Sequence, residues 1–122
     1  MNFFQRRKIL KSTSAEDLIP IRTRGHEVVD GKVVILTPKF ESPRMHKLFP
    51  LTEQQFYRTK LDDLGSLTWE NISGDKSVSE ITDTVQKKLN GSRQVMEDAG
   101  GRIAKFISLL YEHRHVTFRQ IL

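Results

Sequence analysis

At 122 residues with no cysteine, the chain has room for one domain and one core, and disulfides, thiolate metal sites and cysteine nucleophiles are excluded. No uninterrupted apolar run approaches the ~20 residues that span a bilayer. The formal charge of +5 favours acidic partners, and the excess lies early: residues 1–60 hold 12 Lys+Arg against 6 Asp+Glu, residues 61–122 hold 8 against 9.

Residues 1–18 read as a basic N-terminal arm. Phe3-Phe4 followed by Gln5-Arg6-Arg7-Lys8 lacks the apolar segment of a secretory signal, so a cytoplasmic location is expected. Ser12-Thr13-Ser14 suits the cap of a short turn through Asp17, and Pro20 stops anything longer. Phe3, Phe4, Ile9 and Leu10 among Arg6, Arg7, Lys8 and Lys11 suit a weak membrane-surface helix. The plainer reading is a frayed or partner-ordered terminus.

Ile19 to Lys39 is rich in β-branched residues. Ile21-Arg22-Thr23-Arg24 alternates, and His26-Glu27-Val28-Val29 and Val33-Val34-Ile35-Leu36 flank Asp30-Gly31. Both positions of such a turn want positive φ, which makes this a strong hairpin signal. Pro38 cannot donate to a ladder and marks the strand's end. Phe40 to Gln55 is an excursion bracketed by Pro43 and Pro50, with Met45, Leu48 and Phe49 on a basic helical turn or two. Its expected place is against the sheet. Gln55 to Leu61 then alternates as a third strand, with Phe56, Arg58 and Lys60 on one face and Tyr57, Thr59 and Leu61 on the other. Leu61 is expected inside, so Tyr57 should face the core beside it.

The most informative stretch is Lys60 to Ile81, KLDDLGSLTWENISGDKSVSEI. On a helical wheel Leu61, Leu64, Gly65, Thr68, Trp69 and Ile72 fall within about 140°, while Leu67 lies off that face. Gly74 suits the left-handed residue that ends a helix, and Ser77-x-x-Glu80 fits a capping box opening the next one. That next helix carries Val78, Ile81, Val85 and Leu89 on its inward stripe and ends at Asn90-Gly91. A third should begin between Ser92 and Met96 and run to about His113. Met96, Ala99, Ile103, Phe106, Ile107 and Leu110 line one side of it, flanked by Leu109 and Arg102, with Lys105 further round. Gly100-Gly101 inside it costs roughly 2 kcal/mol in helix propensity relative to two Ala. Either the helix is irregular there or a neighbour packs on bare backbone. Val116-Thr117-Phe118 is a short extended tail that suits addition to a sheet. The order βββααα, a three-stranded antiparallel sheet followed by three helices, is that of a winged-helix-like α+β domain.

Little here suggests chemistry. His113-x-His115 lacks the i, i+4 spacing of a helical metal pair, and exposed histidines at a helix end are the expectation. Asp62-Asp63 reads as acidic residues at a helix start rather than a catalytic carboxylate pair. Trp69, on the apolar face, reads as a core anchor rather than a ligand platform. No phosphate loop, nucleophile elbow or HExxH is present, so neither an enzyme nor a cofactor or metal site is expected.

Leu-Asp-(x)2-Gly-(x)3-Trp-Glu-(x)3-Gly-(x)3-Val-(x)-Glu-Ile, from Leu61 to Ile81, resembles the PqqD-like family. These are small proteins and domains named for a factor in pyrroloquinoline quinone biosynthesis and related to leader-peptide recognition elements of modified-peptide pathways. The resemblance covers roughly Ile19 to Phe118, is specific between Lys60 and Ile81, and is loose between Phe40 and Gln55. It implies a stand-alone PqqD-like domain over residues 19–122, with an excursion at 40–55, of the same winged-helix-like fold. It also implies that the leader of a precursor peptide adds as a strand and is presented to a modifying enzyme, often a radical-SAM protein. Carried over by position, the peptide-binding residues would be Phe56, Tyr57, Arg58, Thr59 and Lys60 on the third strand, and Arg102, Lys105, Phe106 and Leu109 on the third helix. Arg58, Lys60, Arg102 and Lys105 would suit acidic leader residues, and the apolar members its hydrophobic anchors. The arm and the excursion are additions to the minimal domain.

Two rivals remain. A winged-helix nucleic-acid binder would use the basic half on phosphates, but its third helix offers only Arg102 and Lys105, with Arg93 and Arg114 at the ends, which makes nucleic acid the weaker partner. A basic membrane-associated adaptor would use the N-terminal arm for peripheral contact.

Overall fold

The structure is a computed structural model that describes residues 1–39, 56–89 and 99–122. The expected excursion at 40–55, the helix stop at Asn90-Gly91 and the contributions of Arg93 and Met96 lie outside the described residues.

Helix α1 (Phe3–Ser12) opens on a capping box: Asn2 Oδ1 accepts from the Gln5 amide at 2.8 Å, and the Gln5 side chain accepts from the Asn2 amide at 3.1 Å. The N-terminus is therefore not the frayed arm expected. Ile9 and Leu10 pack against the core, which anchors the helix, while Phe3 and Phe4 stay 67% and 79% exposed. A 3-10 turn at Ala15–Asp17 leads into strand β1 (Pro20–Arg22). Strands β2 (Gly25–Val29) and β3 (Lys32–Pro38) form the hairpin that Asp30-Gly31 predicted, with φ of 53° and 77° at the two turn residues. Strand β4 (Phe56–Lys60) pairs antiparallel with β3, giving the order β2-β3-β4.

Helix α2 (Asp63–Glu70) is capped by Asp62, whose carboxylate accepts from the Gly65 amide at 2.7 Å. Its inward residues are those of the wheel: Thr68, Trp69 and Ile72 are fully buried, and Leu67 is only partly so. Gly74 (φ 87°) turns the chain, and both bonds of the Ser77–Glu80 capping box form at 3.2 Å. Helix α3 (Val78–Lys88) buries Val78, Ile81 and Val85, with Leu89 half-buried beyond it. Helix α4 is described over Ala99–Glu112 and includes Gly100-Gly101; its expected start between Ser92 and Met96 lies outside the described residues. At Gly100 the helix lies against α3, and a Cβ there would touch Gln86 and Thr82 at 3.6 Å.

Strand β5 (Val116–Phe118) departs from expectation by leaving the three-stranded sheet alone. It pairs with β1, Pro20 opposite Phe118 and Arg22 opposite Val116, as a separate two-stranded ribbon. A last 3-10 turn (Arg119–Ile121) ties the ends together: Arg119 Nε donates to the Gly74 carbonyl at 2.9 Å, and the Gln120 amide group bonds both Ile19 N and Asp17 O. The result is a mixed α/β fold in which helices precede as well as follow the strands. The core lies between one sheet face (Val33, Ile35, Leu61) and the helices, around Trp69.

Candidate functional site

Among the described strands β4 ends its sheet, and the ladder shows which of its backbone groups are left over. The Leu61 amide donates to the Val33 carbonyl at 2.9 Å, which makes Val33–Leu61 a hydrogen-bonded row. Rows of this type alternate in an antiparallel pair, so Tyr57 and Thr59 point their amides and carbonyls at β3. Phe56, Arg58 and Lys60 point theirs outward. No backbone bond from another described segment meets that outer edge. The strand is closed at its far end by Ser66, whose hydroxyl accepts from the Val33 amide at 2.8 Å and donates to the Leu61 carbonyl at 3.4 Å. That pairing explains why a serine is buried on α2.

A cavity of about 250 Å³ runs between β4 and α4. The strand contributes Thr59 and Leu61, and the helix contributes Phe106, Leu109, Leu110 and His113; His115 closes one end. The Phe106 end is set by Gly65, where a Cβ would meet the Phe106 ring at 3.4 Å. Seven residues along α4, about 10 Å at 1.5 Å per residue, lies His113.

Of the nine residues expected in the site, the structure brings Thr59, Phe106 and Leu109 together. Arg58 is not there: it pairs with Glu27 on the opposite sheet face, as strand alternation requires. Lys60 shares that far face and is exposed, and Phe56 shares it and is half-buried. Tyr57 shares the face of Thr59 but is 61% exposed rather than packed on the core, with the Lys39 ammonium 5.4 Å from its ring. The correction has a simple cause: alternation decides which way a side chain points, and the helix that covers Leu61 does not reach Tyr57. Arg102 and Lys105 are exposed and outside the cavity. Arg102 falls on the same stripe as Phe106 and Leu109, one turn nearer the helix start.

His113 is exposed at the helix end, as expected, whereas His115 is the histidine that sequence reasoning misplaced. Helix α4 ends in a Schellman motif: the His115 amide donates to Leu110 O at 2.8 Å and the Arg114 amide to Tyr111 O at 3.0 Å. Arg114 holds the left-handed position (φ 62°) that glycine usually takes. The reversal carries His115 back against Leu110, so it is 8% exposed instead of lying free at a helix end. His113 stacks on it, ring centroids 6.1 Å apart. The His115 Nδ1 is buried with no hydrogen-bond partner. Burial holds this imidazole below its ordinary range, and the nearby positive groups of His113 and Arg24 push it the same way. A glycine at position 114 would have signalled the reversal; an arginine does not.

Trp69 is fully buried, with the His26 ring edge-on at 5.9 Å and the Arg22 guanidinium 5.8 Å from its ring. It is an anchor of the core, as expected. Among the described residues no three His, Asp or Glu side chains gather as a metal site. No family model matches the chain, and neither a curated protein nor a solved structure is significantly similar to it.

Proposed function

We propose that this chain is a non-catalytic peptide-binding module with a winged-helix-like centre, β2-β3-β4 followed by α2, α3 and α4. It captures the leader of a precursor peptide along β4 and presents it to a modifying enzyme, such as a radical-SAM protein. The observation that carries the reading is that the outer edge of β4 is unpaired among the described residues and lies beside an apolar cavity. An incoming extended segment would bond to the outward amides and carbonyls of Phe56, Arg58 and Lys60 and drop apolar side chains between Thr59 and Leu109. The identity of the guest as a precursor peptide rests on the resemblance of Leu61–Ile81 to PqqD-like domains.

Amide hydrogen exchange tests it. A short precursor peptide encoded beside this gene should slow exchange at Arg58 and Lys60, while Tyr57 and Thr59, already bonded to β3, change little. Protection confined to α1 or α3 would reject strand addition.

One observation favours a second reading, peripheral membrane contact. Phe3 and Phe4 are exposed, and Arg7, Lys8 and Lys11 share the surface of α1 with Phe4. Co-sedimentation of the intact chain with vesicles containing anionic lipid, lost in a Phe3→Ser/Phe4→Ser variant, would support it. Helix α4, the element that would read nucleic acid in a winged-helix domain, exposes only Arg102 and Lys105 as cations among its described residues, which makes nucleic acid the weaker reading.

A further inference from the structure

Helix α1 has two unlike sides. At roughly 100° per residue, Ile9 and Leu10 fall about 120° or more round from Phe4, and they are the pair packed on the core. Arg7, Lys8 and Lys11 fall within about 60° of Phe4, on the side turned away from the body, and Phe4 itself is 79% exposed. Phe3 stands beside it with the rings edge to face, 5.7 Å between centroids. The helix contains no acidic residue, and among the described residues none of those three cations pairs with a carboxylate. The capping box at Asn2 keeps the first turn, which carries both aromatics, helical.

Helix α4 sets where that side lies relative to the groove. Below α1 a cavity of about 200 Å³ is walled by Leu10 and Thr13 on one side and by Ala104, Ile107, Ser108 and Tyr111 of α4 on the other. The groove is walled by Phe106, Leu109, Leu110 and His113 of the same helix. Each set runs i, i+3, i+4, i+7, and the two are offset by two residues, which turns them about 160° apart. Helix α4 therefore stands between α1 and the groove, with one on each flank.

We infer that the outward side of α1 seats the chain on an anionic membrane surface while Ile9 and Leu10 stay packed, which leaves the β4–α4 groove facing water on the far flank of α4. This rests on the membrane-contact reading and adds an orientation to it: bilayer and peptide are held at once rather than in competition. The chemistry is complementary. Phenyl rings enter the boundary between headgroups and acyl chains, the flanking cations meet lipid phosphates, and a fluid surface needs no matching shape. A helix whose opposite side is shielded by protein can bury only one stripe in the interface, and the stripe on offer is Phe4 with its cations.

The test uses the intact chain and vesicles of phosphatidylcholine, alone or mixed with phosphatidylglycerol, with brominated acyl chains that quench tryptophan on contact. Trp69 is fully buried and serves as the unquenched reference. Phe4→Trp should be quenched on the mixed vesicles, whereas Leu10→Trp, under the helix, and Leu109→Trp, in the groove, should keep their emission. Ile9→Trp repeats the reading under the helix if Leu10→Trp fails to fold. Binding should weaken roughly fivefold with each of Lys8→Gln and Lys11→Gln, and should fall with salt. Quenching of Leu109→Trp, or of a tryptophan under the helix, overturns the inference and spares membrane contact: the groove would face the bilayer, or α1 would leave the body. Equal binding to the neutral vesicles overturns the anionic assignment and spares membrane contact too. No binding to either vesicle, or binding that leaves Phe4→Trp unquenched, overturns both.

Discussion

The α2–α3 hairpin and the β4–α4 face are neighbours with opposite economies. In the hairpin the capping and turn groups have named partners, although the buried Trp69 Nε1 has none. Asp62 caps α2, Ser66 bridges the strand end, Ser77 and Glu80 close a capping box, and Arg119 holds the Gly74 carbonyl. Its large apolar side chains, Trp69, Ile72 and Ile81, are wholly buried. Across α4 the pattern reverses: Leu109 is 43% exposed, Tyr57 is bare, the His115 Nδ1 is buried unbonded, and Arg114 occupies a backbone conformation meant for glycine. The contrast separates residues that hold the molecule together from residues that cost stability, and the second group is where function is to be sought.

The contrast is broken most directly at Trp69. Trp69→Ala should cost about 3–5 kcal/mol in urea unfolding, because it removes the side chain that the sheet face and helices enclose. A loss below 1 kcal/mol would mean that the hairpin is not the structural half. Ser77→Ala should cost about 1 kcal/mol by removing the cap of α3, read from the same denaturation midpoint. Arg114→Gly should run the other way and raise stability by about 1 kcal/mol, since glycine relieves the left-handed strain. Destabilisation there would show that the guanidinium is structural.

Acidity sharpens the comparison further. His115 is held neutral in the fold, so the unfolded chain takes up its proton first. The stability it contributes is full above its ordinary value near 6.5 and is lost as pH falls through that value toward the lowered one. His115→Leu should flatten this part of the pH profile, while Ser77→Ala leaves its shape unchanged. The smallest effect is expected at Leu109: Leu109→Ala should shift stability by less than about 0.5 kcal/mol, as for other exposed side chains. Its consequence should appear in peptide titrations alone.

What the sequence made legible was local. The wheel of α2, the Asp62 cap, Gly74 and the Ser77–Glu80 box all lie within a few residues of their partners, and so does the Asp30-Gly31 turn. What escaped was settled at long range. The β1–β5 ribbon joins residues nearly a chain length apart, and nothing in Val116-Thr117-Phe118 names Pro20-Ile21-Arg22 as its mate. The inward turn of Ile9 and Leu10 depends on a surface that only the folded chain provides. In the candidate site, alternation already placed Arg58 and Lys60 opposite Leu61, and their Glu27-bearing face follows from it. The residues that line the cavity besides Thr59, Phe106 and Leu109 were read as core or as helix-end polar groups, because a cavity wall and a core wall have the same periodicity.

The brevity of β4 has a consequence for time. Three residues face outward, each with one donor and one acceptor, and each bond is worth roughly 0.5–1.5 kcal/mol net before the cost of ordering a loose chain is met. A ladder of that length grips briefly. A guest held there would exchange quickly, which suits a carrier that must surrender its cargo to a second protein better than a permanent seat.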